Sequence, residues 1–192
     1  MAPSVNDFYV QALMLSEIVK RILDVKASIH LSKVSSLELR PIVDFMHKMR
    51  VSSLEKFEQT TFISLLHFYK NPRDMELQDP IGLIILYIPE DYIDELLKKL
   101  DYPMDDDDDE EALEAACGTI CNLIGGNFKS GLTQLGYQEL EMSHFSSYQN
   151  QIFDGVAYCK SRPEKYEISY EIKGEKKMVI DFNMGKIPKI AH

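Results

Sequence analysis

The sequence predicts an α+β fold, a mostly antiparallel sheet packed with long amphipathic helices. Three observations carry that prediction. Residues 109–135 hold apolar side chains at steps of three and four, the period of a long helix with one buried face. Ile81 to Ile88 is unbroken apolar sequence, which reads as a central strand covered on both faces. Tyr166 to Lys173 and Lys177 to Asn183 flank Gly174-Glu175, the pattern of an antiparallel hairpin. Helices are few and the strands occur in runs, so a doubly wound parallel sheet is disfavoured.

Taken in order, Ser4 to Asp24 reads as the first helix. Phe8, Ala12, Leu15, Ile18 and Ile22 form its apolar row, Ser4 is placed as N-cap, and Asp7 sits at the third helical position. Ala27 to Leu39 alternates like a strand, with a slip around Ser32 to Ser35, and ends at Arg40-Pro41. Ile42 to Phe57 reads as a short helix with a loop. Thr60 to Tyr69 is β-rich and is followed by a turn-prone connection, NPRDMELQDP. Pro89 opens a helix through Leu100, as proline favours the first helical position. The long helix stops at Gly136, and Glu139 to Tyr148 reads as the next strand. Gln151 to Lys160 is a candidate for one more. A loose duplication is visible, since Asp7 to Leu39 and Asp109 to Tyr148 each run from a long helix into strands.

The chain has 192 residues, 45% of them apolar, which suits one core of ordinary size. A domain over residues 1–185 is expected, with an insert-like segment at 40–58, an acidic linker at 101–111 and a tail at 186–192. A net charge of −10 and a pI near 5.0 oppose a phosphate backbone, so nucleic acid is not an expected partner. There is neither a charged, apolar leader nor an apolar run of spanning length, so membrane insertion is not expected and a cytoplasmic protein is.

Several chemistries find little support. Asp101 to Glu111 carries eight acidic groups in eleven positions, yet it lacks the spacing and glycine of an EF-hand loop. Negative charge just before a helix is the simpler reading, because the free N–H groups there stabilise it. A metal-dependent hydrolase built on that run is the remote alternative. Cys117, Cys121 and Cys159 make an odd set without metal-ligand spacing, and buried free thiols are expected. His30, His47, His67 and His144 are scattered, and no nucleophile elbow is present. GGNFKSG lacks the spacing of a phosphate loop and falls inside a helix.

The informative feature is the second face of the long helix. Ala115, Thr119, Asn122, Gly126, Lys129 and Thr133 recur at steps of three and four, all small or polar. Ordinary exposed helix faces are dense in Glu, Lys and Arg. Mid-helix Gly125 and Gly126 cost stability relative to alanine, which suggests close approach by another element or a partner.

The run TICNLIGGNFKSGLTQLGYQELEMS, Thr119 to Ser143, resembles the signature helix and following strand of the CheC/CheX chemotaxis phosphatases. In that family a Glu-x-x-Asn motif opens a segment like N-x-I-x-G-x-x-K-x-x-L, and Asn122, Ile124, Gly126, Lys129, Leu132, Gly136-Tyr137 and Ser143 fit. The likeness extends over Asp7 to Asn183 and implies a CheX-like single domain. It implies a phosphatase acting on the aspartyl-phosphate of a CheY-type response regulator. The family's Asn orients a water for in-line attack, and its Glu binds a lysine of the regulator. Carried over, Asn122 is the catalytic candidate, Thr119 stands at the Glu position, and Ala115, Gly126 and Lys129 are candidates for partner binding. The Mg²⁺ belongs to the receiver, so no cofactor of the chain's own is implied. Dimerisation, through joined sheet edges, is a further implication.

Two departures bear on activity. Thr119 cannot form the ion pair, and Phe145 replaces a proline usual in the following strand. Glu111 and Glu114 lie too far along the helix to substitute. Glu17 and Lys20 form only a half motif on the first helix. Loss of a charge-assisted contact removes about 1.5–3 kcal/mol. The alternative is a non-catalytic receiver-binding or scaffold module in chemotaxis or flagellar signalling.

Overall fold

The computed structural model describes residues 6–105, 109–150 and 152–190, without the side chain of Asp154. Helix α1 (Asp7–Arg21) starts at Asn6, whose side chain accepts from the Phe8 amide, and leaves through a π-turn at Ile22–Lys26. Ser4, the expected cap, lies outside the described residues. Residues 27–35 are not the strand expected there. Leu31 makes one bridge to Ile172, the chain bends at Ser32, and only then does β1 (Ser36–Pro41) begin. It runs through Arg40-Pro41 rather than stopping before them, which an edge strand tolerates because the proline nitrogen need not donate.

The segment 42–57 is not helical. It forms β2 (Asp44–Phe45) and β3 (Lys48–Ser52), then a 3₁₀ turn at Ser53–Glu55. Met46 and His47, at φ 51 and 65, make the tight turn between the strands, and the buried Met49 and Val51 alternate with exposed Arg50. Next come β4 (Thr61–Tyr69), the short α2 (Pro72–Glu76), β5 (Gly82–Pro89) and α3 (Glu90–Lys99). The sequence shows α2 only as a turn, though Asn71 caps it by accepting from the Asp74 amide at 2.9 Å and Pro72 follows. Pro89 closes β5 and is the N-cap of α3 rather than its first helical residue. The long helix is α4 (Glu110–Gln134). The strand expected over Glu139 to Tyr148 is divided into β6 (Glu141–Met142) and β7 (Ser146–Gln149). Then β8 (Ile152–Val156), β9 (Glu164–Ile172) and β10 (Glu175–Met184) complete the chain. The final hairpin turns at Lys173-Gly174, one residue earlier than expected, with φ 52 and 80.

The main sheet runs β1-β9-β10-β5-β4-β6, and β7 also pairs with β4. Every strand pair among the described residues is antiparallel. The topology repeats, helix then edge strand then hairpin. The units are α1-β1-β4-β5 and α4-β6/β7-β9-β10, each half lends its edge strand to the other's hairpin, and β5 meets β10 in the middle.

One face of the sheet packs on the helices. Leu66, Phe68, Ile84, Leu86, Ile168, Ile180 and Phe182 meet Leu15 and Val19 of α1, Leu96 of α3 and Ile124 of α4 in one core. The small sheet β2-β3-β8 covers the other face, where Met49 and Val51 pack with Ile63, Leu65, Ile85, Tyr87 and Val179. That double cover is why β5 is buried at every position and apolar throughout. Asp181 fixes the cover in place. Its carboxylate receives the ammonium groups of Lys56 at 3.0 Å and Lys165 at 2.8 Å, and the Tyr87 hydroxyl at 2.9 Å. Lys56 also contacts Glu167. Burial opposes the Asp181 charge, but the two lysines hold its carboxyl below the ordinary value.

Candidate functional site

Helix α4 has its ends and its rotation set by local chemistry. Asp109 Oδ1 accepts from the Ala112 amide at 3.1 Å, and Glu110 and Glu111 follow in the first turn, so the acidic run ends as a helix cap. Asp106, Asp107 and Asp108 lie outside the described residues, and no metal-binding cluster occurs among the described ones. At the other end Gly136, at φ 84, lets its own amide reach Thr133 O and the Tyr137 amide reach Leu132 O, closing the helix. Cys117, Ile120, Cys121, Ile124, Phe128 and Leu132 face the sheet, with the Phe128 ring edge-on to Phe182 and Phe68. Leu135, expected on this stripe, is 50% exposed because it lies at the C-cap, where the helical phase is lost.

With that face buried, the opposite one must meet solvent. Ala115, Thr119, Asn122 and Thr133 are exposed, and Gly126 and Lys129 are half-buried, so the six residues share one open face. Among the described residues the Asn122 amide has no hydrogen-bond partner, leaving both ends of the group for an external ligand. Thr119 Oγ1 donates to Ala115 O at 3.1 Å, so its hydroxyl hydrogen serves the helix backbone. Lys129 lies 3.4 Å from the carboxylate of Glu139.

The glycines separate into two kinds. A Cβ at Gly125 would stand 2.6 Å from Leu66 Cδ2 and 3.0 Å from Met142 Sδ, so close approach of the sheet demands glycine there. A Cβ at Gly118 would overlap the Phe145 ring at 2.1 Å. Among the described residues nothing lies within 4 Å of a Cβ at Gly126, so their packing does not account for it. The sequence pointed to Gly125 and Gly126 together, and only Gly126 belongs to the open face.

Phe145 reaches Gly118 through an irregularity in the edge strand. Phe68 pairs with Met142 and Leu65 with Ser146, so three residues on one strand oppose two on the other. Ser143 holds the bulge, its amide donating to His67 O and its Oγ accepting from the His67 amide, both at 2.9 Å. Phe145 remains 36% exposed over Gly118, whose helical neighbours are Glu114, Ala115, Cys121 and Asn122. Sequence reasoning noted Phe145 only as a departure and missed Gly118, although a glycine in the middle of a helix was the available signal.

Neither a thiol nor the His67 imidazole reaches the face. Cys117, Cys121 and Cys159 are buried free thiols, and burial pushes the Cys121 thiol up to about 12. His67 is held on the other face of the sheet against Ala157 O at 2.8 Å, with its pKa lowered by burial. What the face offers is one amide, an uncovered glycine, a cation and a low profile. Beside it, a groove of about 330 Å³ runs between α1 and α4, lined by residues including Met14, Glu17, Asn127 and Gly131.

No protein-family model and no curated protein matches the sequence. The arrangement of sheet and helices is that of the CheC/CheX-like chemotaxis proteins. CheX of Desulfovibrio desulfuricans superposes with a TM-score of 0.56 at 14% identity, over 91% of this chain and 99% of that one. The structure of CheX from Borrelia burgdorferi in complex with CheY, BeF₃ and Mg²⁺ gives 0.52 at 14%, over 94% and 99%. The FliM middle domain of Vibrio alginolyticus gives 0.52 at 8%, over 93% and 94%. Among the described residues no helix is long and apolar enough to cross a membrane.

Proposed function

We propose that the chain docks a CheY-type receiver domain on the open face of α4 and accelerates hydrolysis of its aspartyl-phosphate. The observation that carries the reading is the Asn122 amide, unpartnered among the described residues, one turn before a glycine that none of them covers. Asn122 Oδ1 accepts from a water and holds it in line with the scissile bond. The water oxygen bonds to phosphorus as the bond to the aspartyl oxygen breaks, and the products are inorganic phosphate and a free aspartate. The receiver supplies the phosphoryl group and its Mg²⁺, and this chain supplies position, which is most of what phosphoryl transfer requires. Ala115 and Gly126 keep the face low enough for a partner to approach, and Lys129, 3.4 Å from Glu139, adds a cation to it.

A second reading, a receiver-binding or scaffold module without turnover, is favoured by Thr119 at the position where the family motif has its carboxylate. The test is the decay of a phosphorylated CheY-type receiver in Mg²⁺, alone, with the native chain and with Asn122→Ala. Acceleration that disappears in the variant supports the phosphatase. Receiver binding without acceleration leaves the docking module, and neither binding nor acceleration refutes both.

A further inference from the structure

We infer that the receiver is gripped at the amino-terminal half of the site by apolar contact, with the Phe145 ring as the anchor, instead of by an ion pair. The inference rests on the proposed docking of a receiver and specifies how that docking is achieved. Three observations converge on one patch. Thr119 spends its hydroxyl hydrogen on Ala115 O at 3.1 Å, so what it adds to the surface beside Ala115 is chiefly a methyl group. Gly118, one residue earlier, leaves the space in which the Phe145 ring lies, since even a methyl there would overlap it at 2.1 Å. The bulge between β6 and β7 turns that ring onto the helix, and Ser143 pins the bulge to the His67 backbone on both sides. Bulges beside functional sites commonly re-aim a side chain in this way.

The consequence is a patch of one chemistry. Ala115, the Thr119 methyl and the 36%-exposed Phe145 ring lie next to the Asn122 amide, and none of them carries charge. Glu114, four residues before Gly118 and half-buried, borders the patch as its neighbouring charge. A partner that fits here presents an aliphatic or aromatic side chain beside its phosphorylation site. Aromatic anchors partly seated in a pocket carry a disproportionate share of binding energy, typically a tenfold or larger loss on truncation.

The experiment measures the affinity of a panel of beryllofluoride-activated receivers for the native chain, Phe145→Ala, Phe145→Leu, Gly118→Ala and Asn122→Ala, with thermal melts of each variant. For the receiver bound best, Phe145→Ala is expected to raise Kd about tenfold. Phe145→Leu should restore most of the affinity, and Asn122→Ala should leave Kd within about threefold of native. Gly118→Ala retains the ring but forces it from its seat, so it should weaken binding while the helix stays folded. Binding unchanged in Phe145→Ala overturns the anchor while sparing the receiver proposal. No receiver bound by the native chain overturns that proposal and the anchor with it.

Discussion

Gly125 and Gly126 are adjacent on one helix, yet the structure assigns them opposite reasons, and alanine substitution separates those reasons. In an exposed helix interior alanine is favoured over glycine by about 1 kcal/mol. At Gly126 no described residue lies within 4 Å of the new methyl, so Gly126→Ala should collect the whole of that gain. At Gly125 the methyl would meet Leu66 Cδ2 at 2.6 Å, and Leu66 is fully buried and cannot swing outward. Overpacking of that kind costs about 1–3 kcal/mol, which cancels or exceeds the helix gain. The net difference between the two variants is about 2 kcal/mol, or roughly 4–8 °C in Tm for a chain of this size. Thermal melts followed by circular dichroism measure it directly. Gly126→Ala should melt above the native chain and Gly125→Ala at or below it. A Gly126→Ala protein less stable than native would refute the claim that this face is uncovered. The same position then tests docking, because Gly126→Leu leaves the fold intact while raising the face against a partner.

Two further expectations concern charge. Lys56→Met leaves Glu167 without its buried cation and Asp181 with only Lys165 and Tyr87, a loss of about 3 kcal/mol readable by urea denaturation. Since the Asp181 carboxyl is held below its ordinary value, the stability it contributes is present at neutral pH and is lost as pH falls below about 4. Lys56 shows the opposite sign. Burial would lower its pKa, but Asp181 and Glu167 outweigh it and raise the value, so its contribution disappears only above about pH 10.5. A Lys56→Met protein as stable as native across that window would remove the cluster's structural role. If the proposed receiver carries the lysine that the family's Glu binds, Thr119→Glu exchanges a methyl, worth about 0.8 kcal/mol, for a carboxylate on the same face as Asn122, worth about 1.5–3 kcal/mol against it. Dephosphorylation should rise roughly tenfold at low ionic strength and lose most of the gain near 0.5 M salt. A gain insensitive to salt would contradict the electrostatic origin.

Much of the fold was legible because its determinants are local. The period of α4 identifies its buried and open faces, the unbroken apolar run of β5 announces cover on both sides, and Gly174 marks the last hairpin. The ribbon at residues 44–52 was misread because Met46 and His47 take left-handed conformations that neither residue advertises, in place of the usual Asn-Gly. The break between β6 and β7 depends on a register slip against β4, which no periodicity within the strand reveals. The same limit divides the candidate site. Asn122, Gly126 and Lys129 lie on one helix at readable spacing. The Phe145 ring and its Gly118 seat are brought together by a bulge across a different strand, and Lys56 meets Asp181 from 125 positions away.

These long-range pairs explain how the open face of α4 is kept both rigid and plain. The helix is held from behind by the Phe128 ring against Phe68 and Phe182, by Gly125 against Leu66, and by the Cys121 thiol donating to Ser64 O at 3.6 Å. All three contacts lie on the buried side, so none intrudes on the stripe from Ala115 to Thr133. Orienting a water for in-line attack demands a fixed Asn122 backbone more than it demands charge, because the metal and the phosphoryl oxygens supply the charge. A face of this construction can exchange an ion pair at Thr119 for an aromatic anchor at Phe145 without moving the Asn122 backbone. The proposed docking assigns recognition to Phe145 and water positioning to Asn122, and the two variants should accordingly fail in different ways, one in binding and the other in rate.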